Sequence, residues 1–252
     1  MSGRGMLNRT IMWVTWRQLF TRQRLIAAAV VGLIPLIITF SYTATHGEYD
    51  MQTGRFLVGM YKEFVIGTLL PLVAVVFGTN AFGAEMGDGT IVYTMTKPEP
   101  RWRVITSKFL VAWAAVALVM VPACYLPWLL MDHAEMPIEV PTIIMAGSAI
   151  GALVYSALFV ALSILSKRGL VSGLVYIIVV EFTLSRQAAG LKSFSIRELV
   201  LSATSKIGEG NRWIGPADLT IETFYVMGAI CLVGSLLYAW RKFSRYELAE
   251  KL

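Results

Sequence analysis

Charge is scarce in this chain. Only 15% of its 252 residues are Asp, Glu, Lys or Arg, while 56% are hydrophobic and mean hydropathy is +0.65. A soluble domain carries about a quarter charged residues, so a soluble globular fold is excluded. Cysteine is scarcer still. Cys124 and Cys231 both lie in apolar stretches and show no CxxC spacing, so a disulfide scaffold or thiolate metal site is not expected. The two histidines, His46 and His133, fall in separate polar loops, which makes a shared metal site improbable. The sequence lacks GxxxxGK[ST], HExxH and GxSxG patterns, so no phosphate-loop ATPase, zinc hydrolase or serine hydrolase is written in it. No metal ligand set and no catalytic group are expected.

The apolar residues come in blocks, near 25–43, 64–83, 109–131, 143–165, 170–184 and 223–240. A bilayer span needs about 20 such residues. Backbone polar groups in lipid must be satisfied within the segment, which favours helices. The alternation a barrel strand requires is absent. The expectation is an all-α polytopic membrane protein with six spans, formed as one membrane domain over 1–252. The fifth block is short, and Pro122 and Pro127 interrupt the third.

Most of the 22 Lys and Arg residues cluster on one side of this arrangement if the N-terminus is inside. That places both termini in the cytoplasm, in a cell inner (plasma) membrane. The net charge of +6 reflects this asymmetry and needs no nucleic-acid partner. The basic region at the start is too long for a signal peptide.

Residues 1–24 contain LNRTIMWVTWRQLFTRQR. Met12, Trp13, Trp16, Leu19 and Phe20 recur at helical spacing, with Thr10, Arg17, Thr21 and Arg24 largely opposite. This reads as an amphipathic helix in the inner interface, with Trp13, Trp16 and Arg17 near lipid headgroups. A plain extension of the first span is the alternative. Small residues at Gly147, Ser148, Gly151, Ala152, Ser156 and Ala157 would let another helix approach the fourth span closely.

The segment 186–222 is neither span nor simple loop. SIRELVLSATSKIG predicts a helix with Ser195 and Glu198 as a capping box and Gly208 as its stop. With the short fifth block before it, this suggests an outer segment that re-enters the membrane. Glu181 is a carboxylate well inside a hydrophobic block, a candidate for the translocation path or an outer gate. Pairing with Arg186 at the interface is the structural alternative.

Mid-span charge is otherwise almost missing, which disfavours an ion-coupled carrier. A transporter without its own motor then borrows an ATPase. The loop 84–106 is the one cytoplasmic loop large enough to dock it. Asp88-Gly89 is a turn signal, Thr90 to Thr96 can form a short helix, and Lys97-Pro98 ends it. Arg101, Arg103 and Lys108 then meet the headgroups.

The stretch FGTNAFGAEMGDGTIVYTMTKPEPRWRVITSKFL resembles the signature region of ABC transporter permeases of the type-2 exporter class, with Glu85, Gly89, Thr90, Pro98, Arg101 and the following Lys108 at the matching positions. The likeness extends along nearly the whole chain, including YIIVVEF with Glu181. It implies a half-size permease that pairs with a second copy or a paralogue. Two ABC ATPase subunits, holding ATP and Mg, would bind below. Glu85, Asp88, Gly89, Thr90, Tyr93, Pro98 and Arg101 would form the coupling region, and the N-terminal helix a second contact. Glu85 would pair with an arginine of the partner or of that helix. The competing readings are a gradient-driven carrier that needs Glu181, and a membrane anchor that transports nothing.

Overall fold

The computed structural model describes residues 9–46, 51–87, 100–131, 136–166, 168–184, 195–216 and 221–244. Every regular element among them is helical. Helix α1 is Arg9–Leu19 and α2 is Arg22–His46. A continuous helical path then runs through α3 (Met51–Met60), a π-helical stretch π1 (Tyr61–Leu69) and α4 (Leu70–Gly87). Next come α5 (Arg101–Leu130), α6 (Glu139–Leu165), α7 (Gly169–Tyr176) with π2 (Ile177–Leu184), α8 (Ile196–Ile207) and α9 (Ile221–Ser244).

All six apolar blocks are helical, but among the described residues five stretches are long and apolar enough to cross a membrane: Arg22–Thr45, Gln52–Gly83, Arg101–Leu130, Glu139–Leu165 and Tyr225–Ser244. The fifth block forms the shorter helix Gly169–Thr183, below the roughly 20 residues a perpendicular span needs. The expectation of six full spans is therefore met only in part.

The second block starts earlier than its hydropathy indicates. Residues from Met51 are already helical, because Leu57, Val58 and Met60 bury and Phe56 stacks on Tyr42 at 3.8 Å. Lys62 and Glu63 thus lie within the helical path. The π turn is explained by Pro71. Proline has no N–H and its ring crowds the carbonyl four residues back. Widening the preceding turn relieves this, and the Leu70 N–H reaches back to Val65 O.

Helix α6 is the centre of the bundle, packed by α4, α5, α8 and α9. Its small residues make this possible, as the spacing suggested. A Cβ on Gly147 would collide with Thr204, and one on Gly151 with Val200 and Leu70. On the other side, Gly78 of α4 receives Phe159. By contrast α2 and α9 are peripheral, with 22% and 11% of their crossing windows buried against 72% for Gln52–Gly83. Their exposed Val30, Ile37, Phe40, Ile230 and Val233 suit a hydrocarbon solvent.

Helix α8 follows its sequence signals. Ser195 is the N-cap, accepting from the Glu198 N–H, and Gly208 is the C-cap. Ile196, Leu199, Val200 and Ala203 are all buried, but so are Arg197 and Glu198. It is thus wedged between helices rather than lying on a surface.

Candidate functional site

Two clusters of charged and polar side chains stand apart along the bundle. The first surrounds the loop between α4 and α5. Glu85, in the last turn of α4, meets Lys108 of α5 at 2.6 Å, with side chains 10% and 1% exposed. Lys108 Nζ also donates to Ala81 O at 2.8 Å and stands 4.5 Å over the Phe82 ring. A buried ammonium is tolerated only with such partners. Lys108 of the same chain is thus a partner of Glu85 that the sequence reading did not name.

Arg101 opens α5 and reaches α9. Its Nη1 donates to Phe243 O at 2.9 Å and also to Ser244 O. The guanidinium thereby satisfies carbonyls that a helix C-terminus leaves open, and its charge complements that end of the dipole. Phe82 touches Phe243 edge-on at 5.5 Å. One aromatic ring thus links the Lys108 ammonium to the end of α9.

Helix α1 joins the same cluster. Leu19 and Thr15 are buried, Trp16 stacks on Phe20 at 4.1 Å, and Phe20 meets Phe77 of α4 at 5.9 Å. Arg24 fastens the bend, donating to Gln18 O at 2.7 Å and Asn80 Oδ1 at 3.1 Å. Trp13 and Trp16 remain 57% and 39% exposed, and Arg17 lies 4.5 Å over the Trp13 ring. The face carrying Trp13 and Arg17 is outward, while Leu19 points in. The expected single apolar face is split because α1 touches the bundle as well as its surroundings. Asp88, Gly89, Thr90, Tyr93 and Pro98 lie outside the described residues.

The second cluster is where π2, π1 and the start of α8 meet. Glu181 is 1% exposed in π2. Its carboxylate accepts from Ser195 Oγ at 2.6 Å, Ile196 N at 3.0 Å, Arg197 N at 3.3 Å and the Tyr176 hydroxyl at 3.3 Å. It is an anion seated on the N-terminus of α8, where free N–H groups and the helix dipole favour negative charge. Arg186, its expected partner, is outside the described residues. Beside it, Arg197 pairs with Glu63 of π1 at 2.7 Å, and Gly67 gives the guanidinium room. Tyr61 donates to Cys124 O, tying π1 to α5. Sequence reasoning missed Arg197, Tyr61 and the position of Glu63. The buried glutamate itself was the signal available.

Both clusters join helical segments to one another. The first fastens the ends of four helices around one loop. The second fastens the start of α8 to π2 and π1. Such an arrangement can move segments as units. No curated protein matches the chain in sequence. A family model described as ABC-2 family transporter protein matches residues 9–192, from α1 past the end of π2. The chain accordingly belongs to the ABC-2 transporter family, as a multi-pass membrane permease and a transport component that is not itself catalytic.

Proposed function

We propose that this chain is the permease subunit of an ATP-driven exporter of the inner membrane. Two copies, or one copy and a paralogue, form the translocation path. Two separate ATPase subunits hold ATP and Mg and dock on the loop 84–106. Both termini face the cytoplasm, as the clustering of Lys and Arg favours.

The observation that carries the coupling role is the fastening at both feet of this loop. Glu85 is held to Lys108 where the chain leaves α4, and Arg101 is held to the end of α9 where it enters α5. A push on the intervening residues therefore reaches α4, α5 and α9 together as rigid-body motion. Asp88, Gly89, Thr90, Tyr93 and Pro98, outside the described residues, are the coupling positions that the family resemblance implies, with Tyr93 as the apolar contact to the ATPase. Helix α1 is the second contact, with Trp13, Trp16 and Arg17 at the headgroups.

Glu181 supports this reading against a gradient-driven carrier. Its carboxylate is engaged by backbone N–H groups and a serine hydroxyl, which hold α8 in place. We assign it to the outer gate as a positioning residue. The test is co-purification of the chain with an ATPase, followed by Tyr93→Ala. Loss of the ATPase from a folded permease is expected. Undiminished transport after ATP depletion would overturn the proposal.

A further inference from the structure

Two cavities meet at the last turn of α8. The first is a slot of about 400 Å³ between α6, α8 and α9, walled by Val154, Leu199, Ala203, Gly228 and Leu232, with Lys206 at its end. The second is a basin of about 540 Å³ that holds Glu139, Glu209, Asn211 and Arg212. Ile207 lines both, so the apolar slot and the polar basin adjoin. Each is within the size range of ligand sites, about 300–1,000 Å³.

Their depths differ. Glu139 begins the crossing helix α6, and Val154 lies 15 positions further on, about 22 Å at 1.5 Å per residue. Gly228 and Leu232 fall in the first turns of the crossing stretch Tyr225–Ser244. The slot therefore reaches into the hydrocarbon layer, while the basin stands at headgroup level. Such a slot gains nothing from water and is beside an abundant source of hydrocarbon chains.

The charges at the mouth select the headgroup. Lys206 and Arg212 are cationic, and Glu139 and Glu209 are anionic. Lys206 already holds Glu209 at 2.5 Å, both largely exposed, a pair that a phosphate can enter and exchange with at little cost. Two cations and two carboxylates match a phosphate joined to an ammonium.

We infer that this slot and basin form a binding site for one bilayer phospholipid with a zwitterionic, amine-bearing headgroup. Its acyl chain lies between α6, α8 and α9. Its phosphate meets Lys206 and Arg212, and its ammonium meets Glu139 and Glu209. The site rests only on the chain spanning the membrane. It does not depend on an ATPase or on export, so it can fail without them and survive their failure.

The experiment uses the full chain in phosphatidylcholine vesicles with a trace of phosphatidylethanolamine carrying a mid-chain diazirine. After illumination, adducts are mapped by mass spectrometry. At positions of α8 that the bundle shields from bulk lipid, adducts at Leu199 and Ala203 are expected to exceed those at Ile37 and Phe40 of α2 several-fold. Gly228→Leu fills the slot, and a Cβ there meets nothing within 4 Å. It should cut the α8 adducts several-fold and leave those on α2 unchanged. In the unaltered chain, unlabelled phosphatidylethanolamine should compete several-fold better than phosphatidylglycerol. Lys206→Gln with Arg212→Gln should remove that preference. Adducts on α8 no more frequent than on α2, adducts insensitive to Gly228→Leu, or equal competition by both headgroups would overturn the assignment.

Discussion

The Glu85 carboxylate and the Lys108 ammonium meet at 2.6 Å where α4 and α5 converge, with Lys108 almost wholly enclosed. This pair closes one foot of the loop that the family resemblance marks for coupling. Removing one partner strands the other charge. Glu85→Ala is expected to destabilise the chain by about 3–5 kcal/mol. Replacing both, Glu85→Leu with Lys108→Met, should recover most of that loss. Thermal unfolding in detergent measures both, and a double variant as unstable as the single one would show that the pair does not act as a unit.

Arg101 should behave differently. It caps the end of α9 from the rim of the bundle, through Phe243 O and Ser244 O. Such capping is worth roughly 0.3–1 kcal/mol, and up to about 2 where partly buried. Arg101→Ala should therefore lower the melting temperature by only a few degrees. If the loop transmits force to α9 through this residue, transport should fall several-fold more than stability predicts. Normal transport in both Arg101→Ala and the stabilised Glu85/Lys108 double variant would contradict the coupling role.

Glu181 gathers two backbone N–H groups and a serine hydroxyl in a buried setting. Glu181→Ala leaves these donors without their acceptor, at about 1–3 kcal/mol for each group left unsatisfied. Glu181→Asp should retain part of the stability. Hydrogen exchange at residues 196–200 should rise in Glu181→Ala before global unfolding. Unchanged protection of α8 would remove Glu181 from its positioning role.

Close packing of α6 and α8 depends on Gly147 and Gly151. Gly151→Val should cost at least the 1–3 kcal/mol typical of overpacking, because Val200 and Leu70 occupy the space. Val200→Ala in the same chain should relieve part of it. An equal melting temperature for wild type and Gly151→Val would contradict the packing described.

The sequence made some of this legible. Hydropathy located every apolar helix, Ser195 and Gly208 marked both ends of α8, and the small residues of α6 announced a close neighbour. These signals are local, set by spacing along one segment. The partners of Glu85 and Glu181 were not legible in the same way. Glu181 caps a helix 15 positions later, and Arg197 meets Glu63 from 134 positions away, so both depend on how segments are brought together. The π stretches left no trace in hydropathy, since one widened turn shifts a helix face without changing composition. Trp13 and Leu19 share an apolar stripe on paper, but bundle and lipid divide it between them.

The most direct measurement is a mild-detergent pull-down of the tagged chain from its own membrane, with ATPase activity and partner identity read from the eluate. The account predicts a soluble subunit with a phosphate-binding loop, which is lost when Tyr93 and Pro98 are replaced together while the permease stays folded. A chain that elutes alone, hydrolyses no ATP and transports without a partner would contradict it.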